Sequence, residues 1–272
     1  MLKRFLPLLI LVFFFLPAQA QVNKAKQYYN SGIKLKNNNQ FSEALAAFHK
    51  ATEFDKKFDS AYVEIGHIYS KAGKIDTALI NYNKALAINS KYADALFGMG
   101  KLYRDAIKKY DSAIYYFDAA SKIDSTNKEI FYGLAWIYNA RKEHDVAISY
   151  AIKSLEIDNT YKPAYGELGH AYRATKKYAE CIEQLKKNLA VSVVDVAYLY
   201  SGYCYTELNN KEGAVQQYEA LKKINERMAA ALKKKIDAMP APLPGSNWSA
   251  FYFWSNGSIV KYFLVKKFGL SY

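Results

Sequence analysis

A set of small and large apolar residues recurs along most of this chain with a period of 33 to 35 residues. Each period has a glycine or alanine, a large residue three positions later, and a second small residue twelve or thirteen positions later. A period of this length indicates stacked structural repeats. The first small residues are Gly32, Gly66, Gly100, Ala135, Gly169 and Gly202, and the second are Ala44, Ala78, Ala113, Ala147, Cys181 and Ala214.

Each repeat has the spacing of two helices packed face to face. With the first small residue numbered as position 8 of its unit, positions 4, 7, 8 and 11 fall on one face of a helix. Positions 20, 24 and 27 fall on one face of a second helix, and we expect small residues at 8 and 20 to let the two backbones approach closely. The pattern predicts six helix–turn–helix units near residues 25–58, 59–92, 93–127, 128–161, 162–194 and 195–225, followed by a capping helix at 226–237.

The junctions between units carry residues that favour turns. Asp55, Asn89, Asp124 and Asp158 occupy position 31 of their units, where we expect them to form turns and to cap the next helix. The third unit has one additional residue, which we expect in the turn near residues 106–109. Together these features predict an all-α solenoid whose core lies between neighbouring repeats.

This pattern resembles the tetratricopeptide repeat (TPR) family over about residues 25–225. The resemblance implies a right-handed superhelical solenoid, in which positions 5, 9 and 12 of the first helices line a concave groove. The chain departs from the family at position 4, where Tyr, Phe or Leu replaces Trp, and near position 32, where Pro is absent. The groove residues that the resemblance implies include Tyr29, Phe97, Lys101, Arg104, Tyr132, Trp136, Asn139, His170, Arg173 and Tyr203.

A groove that combines aromatic and cationic side chains favours a peptide or protein partner with acidic character. The Lys and Asn pattern with which some family members clamp a C-terminal carboxylate is not matched in this chain. We therefore interpret the chain as a non-catalytic protein–protein interaction scaffold. Two alternatives stay open: binding of a cell-wall polymer or glycan, and presentation of substrate within an enzyme complex.

The first twenty residues have the features of a secretory signal peptide. Lys3 and Arg4 precede an apolar segment at 6–16, and Ala18-Gln19-Ala20 fits the pattern of a cleavage site. The pattern predicts export, a mature chain that begins at Gln21, and a periplasmic or secreted location in a bacterial cell envelope. An uncleaved membrane anchor is the alternative, although the apolar segment is short for crossing about 30 Å of hydrocarbon.

The chain carries a formal net charge of +13, which falls to +11 without Lys3 and Arg4. Outside the cytoplasm, this charge favours an acidic protein surface, an anionic lipid or a cell-wall polymer over nucleic acid as the partner. A surface of solvated lysines without a specific partner is the alternative explanation.

Reactive chemistry is sparse in this sequence. Cys181 and Cys204 fall where a repeat needs a small buried residue, so we expect two core thiols, with a disulfide as the alternative in an oxidising compartment. His67 and His170 share position 9 but lie three units apart, which is too far to hold one metal ion. The sequence predicts no catalytic, cofactor-binding or metal-binding residue.

Residues 238–272 differ from the repeats in composition. Three prolines between 240 and 244 end the helical pattern, and the aromatic and basic segment after them has no acidic residue. Segments 250–254 and 258–265 flank Asn256-Gly257, which predicts a β-hairpin. Because an isolated hairpin is marginal in water, we expect it to contact the last repeat, a partner, a membrane surface or the cell wall, with an unstructured tail as the alternative.

Overall fold

The computed structural model describes residues 6–240, 250–255 and 258–263. These residues form thirteen α-helices, one π-helical turn and two β-strands. In chain order the elements are α1 (Leu6–Asn37), α2 (Phe41–Phe54), α3 (Asp59–Lys71), α4 (Ile75–Ile88), α5 (Ala93–Leu102), the π-helical turn (Tyr103–Ile107), α6 (Tyr110–Ile123), α7 (Lys128–Ala140), α8 (His144–Ile157), α9 (Lys162–Thr175), α10 (Tyr178–Leu189), α11 (Asp195–Glu207), α12 (Lys211–Lys222), α13 (Glu226–Asp237), β1 (Ala250–Ser255) and β2 (Ser258–Phe263).

Consecutive helices pack in pairs, with one pair for each of the six sequence units. The pairs run from α1–α2 to α11–α12, and the second helix of each pair also packs on the first helix of the next. Helix α13 packs on α11 and α12 and buries Ala229, Leu232 and Ile236, so it covers the end of the array. The chain is therefore a helical solenoid with a C-terminal capping helix, as the sequence pattern predicts.

In the first three units, the glycine at position 8 makes room for an aromatic ring from position 24. A Cβ atom on Gly100 would lie 2.6 Å from the ring of Phe117, and one on Gly66 would lie 2.7 Å from the ring of Tyr82. The nearest neighbours of position 8 in these units are therefore ring atoms, and not the small residue at position 20 that the sequence pattern predicted. In these units the ring therefore occupies the space that the missing side chain of the glycine leaves.

Every first helix is followed by a residue with a left-handed backbone, which ends the helix and starts the turn. In the third unit this residue comes one position later, because the additional residue lies in the π-helical turn. The π-helical turn (Tyr103–Ile107) overlaps the range 106–109 in which the additional residue was expected, but begins earlier, because a helix can absorb one extra residue in this way. The left-handed residues, with φ from 54° to 71°, are Asn39, Gly73, Lys108, Lys142, Lys176 and Asn209.

The residues at position 31 form turns, as predicted. A side-chain oxygen of Asp55, Asn89, Asp124 or Asp158 accepts a hydrogen bond from the backbone N–H two residues later, at 2.8 to 3.1 Å. The expectation that they also cap the next helix is wrong, because the turn places the N-cap three residues further along. Those N-cap residues are Phe58, Tyr92, Asn127 and Tyr161.

Cys181 and Cys204 form a disulfide, so the expectation of two core thiols is wrong. The two residues lie on α10 and α11, which pack against each other, and their Cα atoms are 6.5 Å apart. Both residues are fully buried. In the chain-entropy description, a cross-link at this sequence separation of 23 residues stabilises the fold by about 3 kcal/mol.

The two ends of the described chain differ from the repeats. Helix α1 extends through the predicted signal peptide to Leu6, and β1 pairs with β2 in the antiparallel hairpin that the sequence predicts. Its turn residues Asn256-Gly257, the segment 264–272, and Lys3 and Arg4 lie outside the described residues. Within the part of the chain that the structure describes, no helix combines the length and apolarity needed to span a membrane.

Candidate binding groove

The first helices of neighbouring units lie side by side along one surface of the solenoid. Helix α3 packs on α5, α7 packs on α9, and α9 packs on α11. Side chains at positions 5, 9 and 12 of these helices line two cavities on this surface. We call the surface formed by α1, α3, α5, α7, α9 and α11 the groove.

The first cavity has a volume of about 490 Å³ and lies between the second and third units. Burial lowers the pKa of His67 against the opposing effect of Glu64, and the Nε2 atom of His67 has no hydrogen-bond partner among the described residues. The cavity therefore presents a neutral imidazole beside the ammonium group of Lys101. Its lining residues are His67, Ser70, Lys71, Tyr82, Phe97, Gly98, Lys101 and Glu129.

The second cavity has a volume of about 470 Å³ and lies between α7, α9 and α11. Glu167 and Tyr200 occupy position 6 of their units, which the family pattern does not assign to the groove, so sequence reasoning missed both of them. The rings of His170 and His144 lie 5.5 Å apart at its edge. Its lining residues are Trp136, Asn139, Ala140, Gly166, Glu167, His170 and Tyr200.

Arg104 is not the free groove cation that the sequence predicted. Its side chain is buried (8% exposed), and Nε and Nη2 donate hydrogen bonds of 2.6 and 2.9 Å to the carboxylate of Asp105. The guanidinium also lies 5.6 to 5.8 Å from the ring centres of Phe117, Tyr132 and Trp136. Arg104 and Asp105 both belong to the π-helical turn. The rings around Arg104 shield it from solvent. Arg104 is thus a structural group between the two cavities.

Asn139 is also buried, which corrects its prediction as a groove contact. Its Nδ2 atom donates hydrogen bonds to the backbone carbonyl and the carboxylate of Glu167, at 3.0 and 2.9 Å. Its Oδ1 atom lies 3.1 Å from Nδ1 of His144. The amide therefore joins the fourth unit to the fifth, and its polar atoms are not free for a partner.

The other predicted groove residues keep part of their surface accessible. Phe97, Tyr132, Trp136 and Tyr203 are half-buried, while His170 and Arg173 are exposed. The structure brings Phe97 and Lys101 into the first cavity, and Trp136 and His170 into the second.

Tyr29 lies apart from both cavities, at the N-terminal end of the groove. Burial raises its pKa to about 12, and its ring packs on those of Phe48 and Phe58. Tyr29 is therefore neutral at physiological pH and contributes mainly an apolar surface. Among the described residues, no three His, Cys, Asp or Glu side chains converge to hold a metal ion.

Comparison with protein families gives matches to one kind of repeat. Residues 66–105 match a family described as TPR repeat. Residues 128–161, 163–190 and 196–225 match families described as tetratricopeptide repeat. No curated protein matches the chain.

Solved structures with the same architecture have low sequence identity to this chain. PilF of Pseudomonas aeruginosa is 18% identical, with a TM-score of 0.62 over 79% of this chain and 99% of PilF. PilW, described as a type IV pilus biogenesis factor, is 16% identical, with a TM-score of 0.62 over 77% of this chain and 98% of PilW. YrrB, described as a TPR protein with an unusual peptide-binding site, is 24% identical, with a TM-score of 0.54 over 69% of this chain and 98% of YrrB. These similarities show the shared fold.

Proposed function

Because this chain is a tetratricopeptide repeat protein, and thus a protein–protein interaction scaffold, we propose that it binds a peptide or protein segment along the groove without catalysing a reaction. The observation that carries this proposal is the pair of cavities of about 490 and 470 Å³ on one surface, lined by aromatic and polar side chains. Buried aromatic anchors with polar groups around them are typical of binding surfaces. The peptide-binding site described for YrrB is consistent with this role for the shared fold.

The bound segment has acidic character in this proposal. Because Arg104 is neutralised by Asp105, the cations that remain for a partner are Lys71 and Lys101, which line the first cavity, together with Lys108 and Arg173. The ammonium of Lys101 lies 3.9 Å from Glu129, at the outer limit of an ion pair, and its side chain is 44% exposed. Lys108 and Arg173 are exposed and lie 5.7 and 5.8 Å from aromatic rings of the groove.

The same proposal places the protein outside the cytoplasm, in the cell envelope. A fully buried disulfide supports this location, because cytosolic thiols are normally kept reduced. The signal-like pattern of residues 1–20 supports it independently.

Photo-crosslinking from the groove tests the proposal. A photo-reactive phenylalanine replaces Phe97, which lines the first cavity, or Tyr115, which is 68% exposed on α6. We expect a partner protein crosslinked to position 97, which mass spectrometry identifies, and no crosslinked partner at position 115.

Charge reversal then tests how the partner binds. We expect Lys101→Glu/Arg173→Glu to slow association and to reduce its salt dependence. The control Lys91→Glu/Lys223→Glu changes the net charge equally at exposed positions in the turns that follow second helices, and should have little effect. Equal crosslinking from both positions, or tight binding of purified cell-wall polymer with no protein partner, would contradict the proposal.

A further inference from the structure

Gly166 differs from the other helical glycines of this protein in its surroundings. On every other glycine within a helix of the described residues, a Cβ atom would come closer than 3.0 Å to a neighbouring side chain. On Gly166 the nearest atom would be the hydroxyl oxygen of Tyr200, at 3.8 Å, which is an ordinary van der Waals distance. Close packing therefore does not require a glycine at this position.

The backbone does not require a glycine there either. Gly166 lies inside α9, away from its ends, and its φ is not in the left-handed region. Glycine inside a helix weakens that helix relative to alanine, because it loses more conformational freedom on folding. The missing side chain thus destabilises α9 without relieving any clash or strain.

The position of Gly166 gives the missing side chain a consequence in the groove. Position 5 carries an aliphatic or aromatic side chain in the other five units: Tyr29, Val63, Phe97, Tyr132 and Leu199. In the fifth unit this side chain is absent, and Gly166 instead forms part of the wall of the second cavity. Trp136, Ala140 and Tyr200 form the walls around it. We call this opening over Gly166 the notch.

We propose that the notch receives one large apolar side chain of the bound segment. This inference rests on the proposed function, since it specifies part of what the groove binds. The indole of Trp136, the methyl group of Ala140 and the ring of Tyr200 supply apolar contact area, and Gly166 supplies the space. Such an arrangement favours a side chain of the size of leucine, methionine or phenylalanine.

The charges around the notch disfavour a charged occupant. The ammonium of Lys108 already lies 5.7 Å from the ring of Trp136, so a further cation would be repelled there. A carboxylate would instead meet the carboxylate of Glu167 in the cavity wall. An uncharged side chain avoids both penalties, while the acidic residues of the segment contact Lys101 and Arg173 elsewhere in the groove.

Selection from a phage-displayed library of random peptides on the immobilised full chain tests the notch. We expect the enriched peptides to share one large apolar residue. Gly166→Leu should weaken their binding at least about tenfold by filling the notch, whereas Ala174→Leu, at an exposed position of the same helix, should leave it unchanged. Replacing the shared apolar residue with alanine should weaken binding to the parent protein by a similar factor, but should weaken binding to Gly166→Leu very little.

Folding is measured separately on each variant. Gly166→Ala should raise the melting temperature by about 2 to 4 °C, because the methyl group fits and the helix gains propensity. If Gly166→Leu fails to fold, Gly166→Met provides the same test with a more flexible side chain.

The outcomes separate the notch from the groove. Peptides that bind Gly166→Leu as tightly as the parent, but lose affinity for Lys101→Glu/Arg173→Glu, would overturn the notch and leave the groove proposal standing. Peptides insensitive to both sets of changes, or no enrichment at all, would overturn the groove proposal and the notch with it.

Discussion

At the scale of single residues, a cation at position 26 lies beside the aromatic ring at position 4 in three of the units. The ammonium groups of Lys50, Lys84 and Lys153, at position 26, lie 4.3 to 5.5 Å from the centre of the aromatic ring at position 4 of the same unit. In the third unit Leu96 and Ala119 replace the ring and the cation together. Because cation–π contacts at exposed sites contribute about 0.5 to 1 kcal/mol each, this pairing offsets part of the area lost when a smaller side chain replaces Trp at position 4.

Positions 8 and 24 are related in a similar way in the first four units. Gly32, Gly66 and Gly100 each have an aromatic ring from position 24 where a Cβ atom would lie. The fourth unit has Ala135 and Ala151 at these positions, and both are fully buried. In the fourth unit, a methyl group at position 8 thus accompanies the missing ring at position 24. The fifth unit keeps Gly169 although Leu185 occupies position 24, because the ring of Tyr200 lies beside Gly169 instead.

This relation predicts that the effect of Gly100→Ala on stability depends on whether Phe117 is present. Gly100→Ala alone should lower the free energy of unfolding by about 1 to 3 kcal/mol, because its Cβ atom would overlap the ring of Phe117. In a Phe117→Ala background, the same change should be neutral or stabilising by up to about 1 kcal/mol, since only the gain in helix propensity remains. Urea unfolding of the four proteins measures the cycle, and additive effects would show that Phe117 is not the neighbour that matters.

The sequence predicted the elements better than it predicted the details of their ends and contacts. The apolar period located the helices and the position-31 turns because both depend on local residue preferences. It did not predict the π-helical turn. One extra residue between Gly100 and Ala113 shifts the apolar pattern of the second helix by the same amount wherever it is inserted. It also assigned Arg104 and Asn139 to the groove.

Arg104 and Asn139 contact residues of the following unit. Such a contact cannot be predicted from the residue spacing within one unit. Position 12 meets position 6 of the following unit: Lys36 donates a hydrogen bond of 2.7 Å to Glu64, and Asn139 bonds to Glu167. Nη1 of Arg104 would lie 3.0 Å from a Cβ atom on Gly133, at the corresponding position 6. In these three units, position 12 thus contacts position 6 of the following unit, which spacing within one unit does not reveal.

The left-handed residue after each first helix gives a prediction at the scale of the element. Lys142 has a φ of 64° and Gly73 has a φ of 71° at equivalent positions of their units. Because glycine tolerates this conformation better than other residues, Lys142→Gly should raise the free energy of unfolding by about 0.5 to 1 kcal/mol. The reciprocal control Gly73→Lys should lower it by at least a similar amount, although no atom lies within 4 Å of the Cβ position. Thermal and urea unfolding of both variants measure the effect, and changes of the same sign would contradict it.

At the scale of the whole molecule, the contacts that join neighbouring units differ from one junction to the next. Hydrogen bonds from position 12 to position 6 join the first unit to the second and the fourth to the fifth, and the Cys181–Cys204 disulfide joins the fifth to the sixth. Because stability in a solenoid is close to a sum of unit and interface contributions, the disulfide acts mainly on its own junction. That junction holds α11, which carries Tyr200 of the second cavity, so the covalent link supports one wall of the groove.

The disulfide and the signal-like N-terminus together give a prediction for the whole chain. We expect protein recovered from outside the cytoplasm to begin at Gln21 and to contain Cys181 and Cys204 as a disulfide. N-terminal sequencing measures the first property, and thiol alkylation before and after reduction, followed by mass spectrometry, measures the second. The variant Cys181→Ala/Cys204→Ala is the control. Alanine is the usual residue at position 20, where Cys181 lies, and the fifth unit has Ala171 at position 10, the position of Cys204 in the sixth. The variant should show no alkylation and should lose about 3 kcal/mol of stability. An intact Met1 with carbonate-resistant membrane association would indicate an anchor instead, and free thiols in freshly trapped protein would remove the support that the disulfide gives to export.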